Sequence, residues 1–254
     1  MPKEIAKTNS TGLAPVDLLK DAGKGLEDMR SEDFAIPFFS ILQKGSPQCD
    51  ENDGAYIEAA KPGMIFNTVN NTPVISLTVV PVAYKREFVE WKPREKGGGY
   101  IGNYSITDPL VSEGTRNANG ALQLKSGNLL IETAYHFIIA NIDENLIQGL
   151  ISMTSTQLKK SRRWNSMMAG LKISQKNGQL VTPATFSHQY KLTTVAEKNE
   201  KGSWFGWNIE SVGSVSDVNL YQLAKSFFTT VKSGAVQVSA PKQEAPVESK
   251  NEDF

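Results

Sequence analysis

The chain has 254 residues, with 27 Lys and Arg against 27 Asp and Glu, so its formal net charge is zero. That length accommodates one sizeable core with appendages, or two small domains. A single cysteine, Cys49, excludes a disulfide framework, and with only two histidines beside it no zinc site can be built from Cys and His alone. The first residues lack the apolar run of a secretory signal and no stretch is long enough to span a bilayer, so a soluble cytoplasmic protein without a membrane partner is expected.

The neutral total hides an uneven distribution. Residues 1–60 carry six bases against eleven acids. Between Glu144 and Glu197 there is no acidic residue, and seven bases fall there: Lys159, Lys160, Arg162, Arg163, Lys172, Lys176 and Lys191. An acid-free basic block is the electrostatic footprint expected of a protein that meets a polyanion, although a solvated basic face would look the same.

In chain order, residues 1–30 read as a flexible arm broken by Gly12, Gly23 and Gly25. Residues 31–62 form a helical and loop extension, with Phe34, Phe38, Ile41 and Leu42 at helical spacing. Strands are expected at 74–80 and 82–91, with Pro81 at a bulge or edge, then at 130–140 and 146–153 across a turn at Asn141, Asp143 and Asn145. Thr154, Ser155 and Thr156 offer N-caps to a helix whose stripe is Leu158, Ser161, Trp164, Met168 and Leu171. Two further strands, 184–194 and 203–209, flank a charged turn at 197–202. A last helix near 215–232 opens with Ser214 and Asp217. The residues after 235 are rich in Pro, Lys and Glu and read as a disordered tail.

Strand, strand, strand, helix, strand, strand is the connectivity of a five-stranded OB-like barrel. The expected fold is therefore mainly β with α, the barrel occupying 63–213 and the C-terminal helix 214–234. The long insertion 92–128 lies between strands one and two, and the tail 235–254 follows the helix. In such barrels the loops joining strands one and two and strands four and five flank the nucleic-acid groove.

No Walker A loop, G-x-S-x-G elbow or H-E-x-x-H helix is present, so no catalytic residues, cofactor or metal are expected. Single-strand binding needs cations for phosphates and aromatic faces for bases, the latter worth roughly 1–3 kcal/mol per base. Tyr84, Lys85, Arg86, Phe88 and Trp91 interleave both on one strand, and Lys159, Lys160, Arg162 and Arg163 crowd one helix beside Trp164. Trp164 sits on the apolar stripe, which favours packing. In 203–209 the alternation groups Phe205, Trp207 and Ile209 and leaves Trp204 on the other face with Gly206, where a base could approach. Lys191 adds a supporting base.

The chain ends Glu248-Ser-Lys-Asn-Glu-Asp-Phe254. This acidic ending with a terminal aromatic resembles the C-terminal tails of bacterial and bacteriophage single-stranded DNA-binding proteins. The segments GLEDMRSEDFAIPFFSILQKGSP, TSTQLKKSRRWNSMM and GSWFGWNI are similar to phage-encoded proteins of that class. The resemblance implies a protein that coats single-stranded DNA in phage replication, recombination and repair, inside the host bacterium. It also implies that Glu252, Asp253 and Phe254 dock on replication or recombination partners. A homodimer through residues 31–43 or the last helix is a further expectation. Two other classes stay open: a virion or scaffold protein with a β-sandwich, and a recombination accessory enzyme such as a nuclease or annealing protein.

Overall fold

The computed structural model describes residues 20–29, 33, 35–117, 121–200 and 202–236. The chain divides into two units, Met1–Phe34 and Ala35–Phe254. In the first, the described residues run through turns closed by Lys24 N donating to Asp21 O and Leu26 N to Gly23 O.

The second unit begins with three short strands, β1 (Phe39–Ile41), β2 (Ile65–Asn67) and β3 (Thr72–Val74), which form a small antiparallel sheet. Next come β4 (Leu77–Trp91), β5 (Tyr100–Ser105), helix α1 (Pro109–Glu113), β6 (Thr115–Arg116) and β7 (Leu122–Gln123). The hairpin β8 (Leu129–Ile142) and β9 (Asn145–Thr154) leads to helix α2 (Leu158–Gly170). The chain then forms β10 (Ile173–Ser174), β11 (Leu180–Val181), the hairpin β12 (His188–Asn199) and β13 (Gly202–Ser214), and helix α3 (Val218–Lys232). The molecule is mainly β with few helices.

Five long strands carry the main sheet, in the order β13-β12-β4-β8-β9, every neighbouring pair antiparallel. The insertion between β4 and β8 extends two of them, β5 pairing with the end of β4 and β7 with the start of β8. Pro81 sits at a register shift between Pro81 and Ala83, where a residue without an N–H interrupts no regular ladder. Asp143 and Glu144 both take positive φ in the two-residue β8–β9 turn, the backbone that a tight hairpin demands.

Both faces of the sheet are covered, and alternate residues of one strand therefore enter different cores. Tyr135, Phe137 and Ile139 of β8 pack with Leu220, Ala224 and Phe227 of α3. Ala134, Ile138 and Ala140, one residue out of phase, pack with Trp164 and Met168 of α2 and with Tyr190, Leu192, Trp207 and Ile209 of the last hairpin.

Among the described residues no ladder joins β9 to β13, and the chain around β1 lies in that seam. Phe38 makes a parallel bridge with Leu150, whose N–H donates to the Pro37 carbonyl at 2.9 Å. On the other side Gln43 bonds the Phe205 backbone twice, at 2.8 and 2.9 Å. This corrects the helix expected over 31–43. Phe38 and Phe39 enter opposite cores, a period of two, because a sheet edge is available for pairing. The described apolar residues Phe38, Phe39 and Leu42 are buried within the chain itself.

Four further expectations change. Ile75, expected on the face of Leu77, is 77% exposed because β4 begins only at Leu77. Phe186, which strand alternation over 184–194 would group with Tyr190 and Leu192, lies instead in a 3-10 turn (Thr185–Ser187) against Tyr221 and Phe228. Ser155–Gln157 is a 3-10 turn, and α2 begins without a side-chain cap. Much of the charged turn expected at 197–202 is strand, since β12 runs to Asn199 and β13 starts at Gly202. As expected, Asp217 caps α3, accepting from Asn219 N and Leu220 N.

Candidate nucleic-acid interface

The first half of α2 and the tip of the β12–β13 hairpin enclose a cleft of about 590 Å³ lined by Thr156, Lys159, Lys160, Arg163, Glu197, Lys198 and Trp204. Helical geometry explains which bases reach it. Ser161, Trp164 and Met168 are buried under α2 and fix its roll. At about 100° per residue, Lys159, Lys160 and Arg163 then fall on the flank facing the hairpin, while Arg162 points off that flank. The hairpin supplies the opposite wall through its register. Glu197 stands directly across from Trp204, and Lys198 across from Ser203. Gln157 joins the two walls, its Oε1 accepting from the Trp207 N–H at 3.0 Å.

A polar chain ties the cleft together. Lys160 Nζ lies 2.7 Å from Glu197 Oε1, and Trp204 Nε1 donates to Glu197 Oε2 at 2.9 Å. The hydrogen bond from Lys160 holds the Glu197 carboxyl below its usual range, against its partial burial and with help from Trp204. Four cations thus face one carboxylate. Two of them, Lys159 and Lys160, stand at the start of α2, which has no acid in its first turn and no side-chain cap. The helix dipole is positive there, so the site favours an anion. Lys44 borders the same region, its Nζ 3.4 Å from Ser203 Oγ.

Of the residues singled out from sequence, Lys159, Lys160, Arg163 and Trp204 meet in this cleft. Arg162 is exposed on the same helix but outside it. Lys191 is exposed on β12, paired across the ladder with Glu210. The β4 group has other partners. Lys85 pairs with Glu87 at 2.6 Å, and Arg86 with Glu132 at 2.7 Å. Phe88 is half-buried, and Trp91 is buried edge-on to Tyr100, with ring centroids 6.0 Å apart. Trp91 is therefore core, not a stacking platform. Tyr84 is partly exposed, resting on His136, which in turn stacks on Trp164 at 4.5 Å. The space over Gly206, expected to admit a base, is filled: a Cβ there would strike the Glu197 carboxylate. Glu252, Asp253 and Phe254 lie outside the described residues.

Sequence reasoning missed Thr156, Glu197 and Lys198. Extending the hairpin ladder to an Asn199–Gly202 pair would have set Glu197 opposite Trp204. Among the described residues no cluster of acids, histidines and cysteine could hold a metal. His136 Nε2 and Ser161 Oγ are 2.8 Å apart, but both residues are buried under α2, and burial pushes the imidazole down to about 3.

A mainly β molecule with a cationic cleft between a helix and a hairpin is the class that this geometry defines. Over residues 6–237 the chain matches the family described as Pam3 phage gp34-like protein, and it belongs to that family. No curated protein and no solved structure matches it. No helix among the described residues is long and apolar enough to cross a membrane.

Proposed function

We propose that this phage-family protein binds single-stranded DNA through the α2–hairpin cleft, as a stoichiometric coat and not as a catalyst. One observation carries the reading. Lys159, Lys160 and Arg163 share a single cleft with Trp204, some forty residues further along the chain. Cations and an aromatic within one cleft are the two ingredients of single-strand recognition. Phosphates follow the exposed flank of α2, and a base lies against Trp204. Duplex DNA offers no free base face, so single strands are preferred, with weak sequence preference.

The strand order supports an OB-like reading of the sheet. In the order in which the five long strands occur in the chain, it runs five-four-one-two-three, with α2 between the third and fourth. Residues 35–43 stand in the seam between the third and fifth. The acidic ending at Glu252, Asp253 and Phe254 supports recruitment of replication or recombination proteins, and the family supports action inside an infected bacterium.

The test is intrinsic fluorescence during titration with oligo-dT. Trp91, Trp164 and Trp207 are buried, so Trp204 is the tryptophan a strand can reach. Partial quenching that weakens with salt, and is much smaller with a matching duplex, supports the reading. Absence of quenching and of any mobility shift at low salt refutes it.

A further inference from the structure

The geometry assigns a phosphate seat to the space over Gly206, between Lys160 Nζ and Trp204 Nε1, which the Glu197 carboxylate holds in the free protein. This rests on the single-strand-binding reading above and adds what the strand must displace. Both groups that define the seat, an ammonium and an indole N–H, are donors without acceptor capacity, so only an acceptor, and preferably an anion, satisfies them. Glu197 meets them at 2.7 and 2.9 Å.

Two features separate this arrangement from an ordinary surface ion pair. The carboxylate rests over a position where the chain has no side chain, because a Cβ at residue 206 would strike Glu197 Oε2. And Glu197 is the one acid lining a cleft with four cations, of which Lys159, Arg163 and Lys198 form no salt bridge with another described residue. A backbone phosphate entering the cleft finds its best-formed seat taken by a group of like charge. Entry therefore expels Glu197 toward solvent. It transfers Lys160 to the phosphate and unties the Trp204 indole, whose ring can then turn a face to the adjoining base. Glu197 sets the affinity of the site by competing for it, and couples phosphate capture to release of the stacking residue.

The experiment measures oligo-dT affinity at several salt concentrations for the full chain and for two variants. Glu197→Gln keeps an acceptor for Trp204 Nε1 but removes the competing charge. It is expected to bind roughly three- to tenfold tighter, with a log–log salt slope close to that of wild type, because the same phosphate is seated in both. Gly206→Ala puts a methyl into the seat itself, where it meets a phosphate as it meets the carboxylate, and should bind no tighter than wild type. Wild type that binds while Glu197→Gln binds equally or more weakly overturns the seat and leaves single-strand binding intact. Wild type that binds no strand at low salt overturns both.

Discussion

Replacing Lys159 and Arg163 together by alanine should weaken DNA binding while leaving the fold intact, and even slightly more stable. Both side chains are exposed on the cleft flank of α2, so no core packing is lost. Lys159 is the second residue of a helix whose first turn has no acid and no capping side chain, where the dipole disfavours a cation. Removing that charge should return about 0.3–1 kcal/mol to the folded state. Arg163 lies beyond the first turn and should contribute little to this gain. On single strands each phosphate contact adds about 0.7 to the slope of log affinity against log salt, so the double variant should lose about 1.4 of slope. The assay is anisotropy of a labelled oligo-dT across a salt series, paired with thermal unfolding. Arg162→Ala, on the same helix but outside the cleft, is the matched control and should leave the slope in place. An unchanged slope in the double variant, or an equal loss in Arg162→Ala, refutes the placement of the strand. A fall in stability would refute the dipole argument.

Trp204→Ala should abolish the quenching by oligo-dT and cost roughly 1–3 kcal/mol of binding, with Trp204→Phe intermediate; full quenching in the alanine variant would assign the signal elsewhere. His136 is held neutral by burial, its pKa pushed down from 6.5 to about 3. The unfolded chain therefore binds a proton that the native state refuses, so stability is fully present above pH 6.5 and is lost as pH falls toward 3. Between pH 7 and pH 5 the loss should be about 2 kcal/mol, and His136→Gln should flatten that part of the denaturation profile; identical profiles would contradict the assignment. Gly149→Ala would drive a methyl into the Phe39 ring and should destabilise by about 1–3 kcal/mol in urea unfolding, whereas a neutral result would mean that the seam segment packs less tightly than described.

What the sequence revealed, and what it hid, divides along local and non-local lines. The five long strands and the Trp164 stripe follow from local alternation and spacing, and the structure places them within a few residues of expectation. The outward face of Trp204 was also legible from the phase of the SWFGWNI strand. The strand at Phe39–Ile41 was not, because its extended form is imposed by pairing with β2, more than twenty residues further along, and by the Phe38 bridge to Leu150 of β9. Trp91 and Phe88 looked like stacking candidates interleaved with cations, yet on a sheet covered on both sides Trp91 is buried and Phe88 half-buried. Lys85 has its partner Glu87 two residues away on the same strand face, whereas the partner of Arg86, Glu132, comes from β8 and was not legible locally. Glu197 was hidden by a hairpin whose strands run closer to the turn than their charge implied, and with it went the carboxylate that organises the cleft.

The most direct test of the central claim is photocrosslinking of the full chain to an oligo-dT carrying a photoreactive thymine analogue, followed by peptide mapping. The account predicts adducts at Trp204 and within residues 156–163, suppressed together by competing single strand and not by duplex. Adducts confined to other segments, or none under conditions where the strand binds, would contradict it.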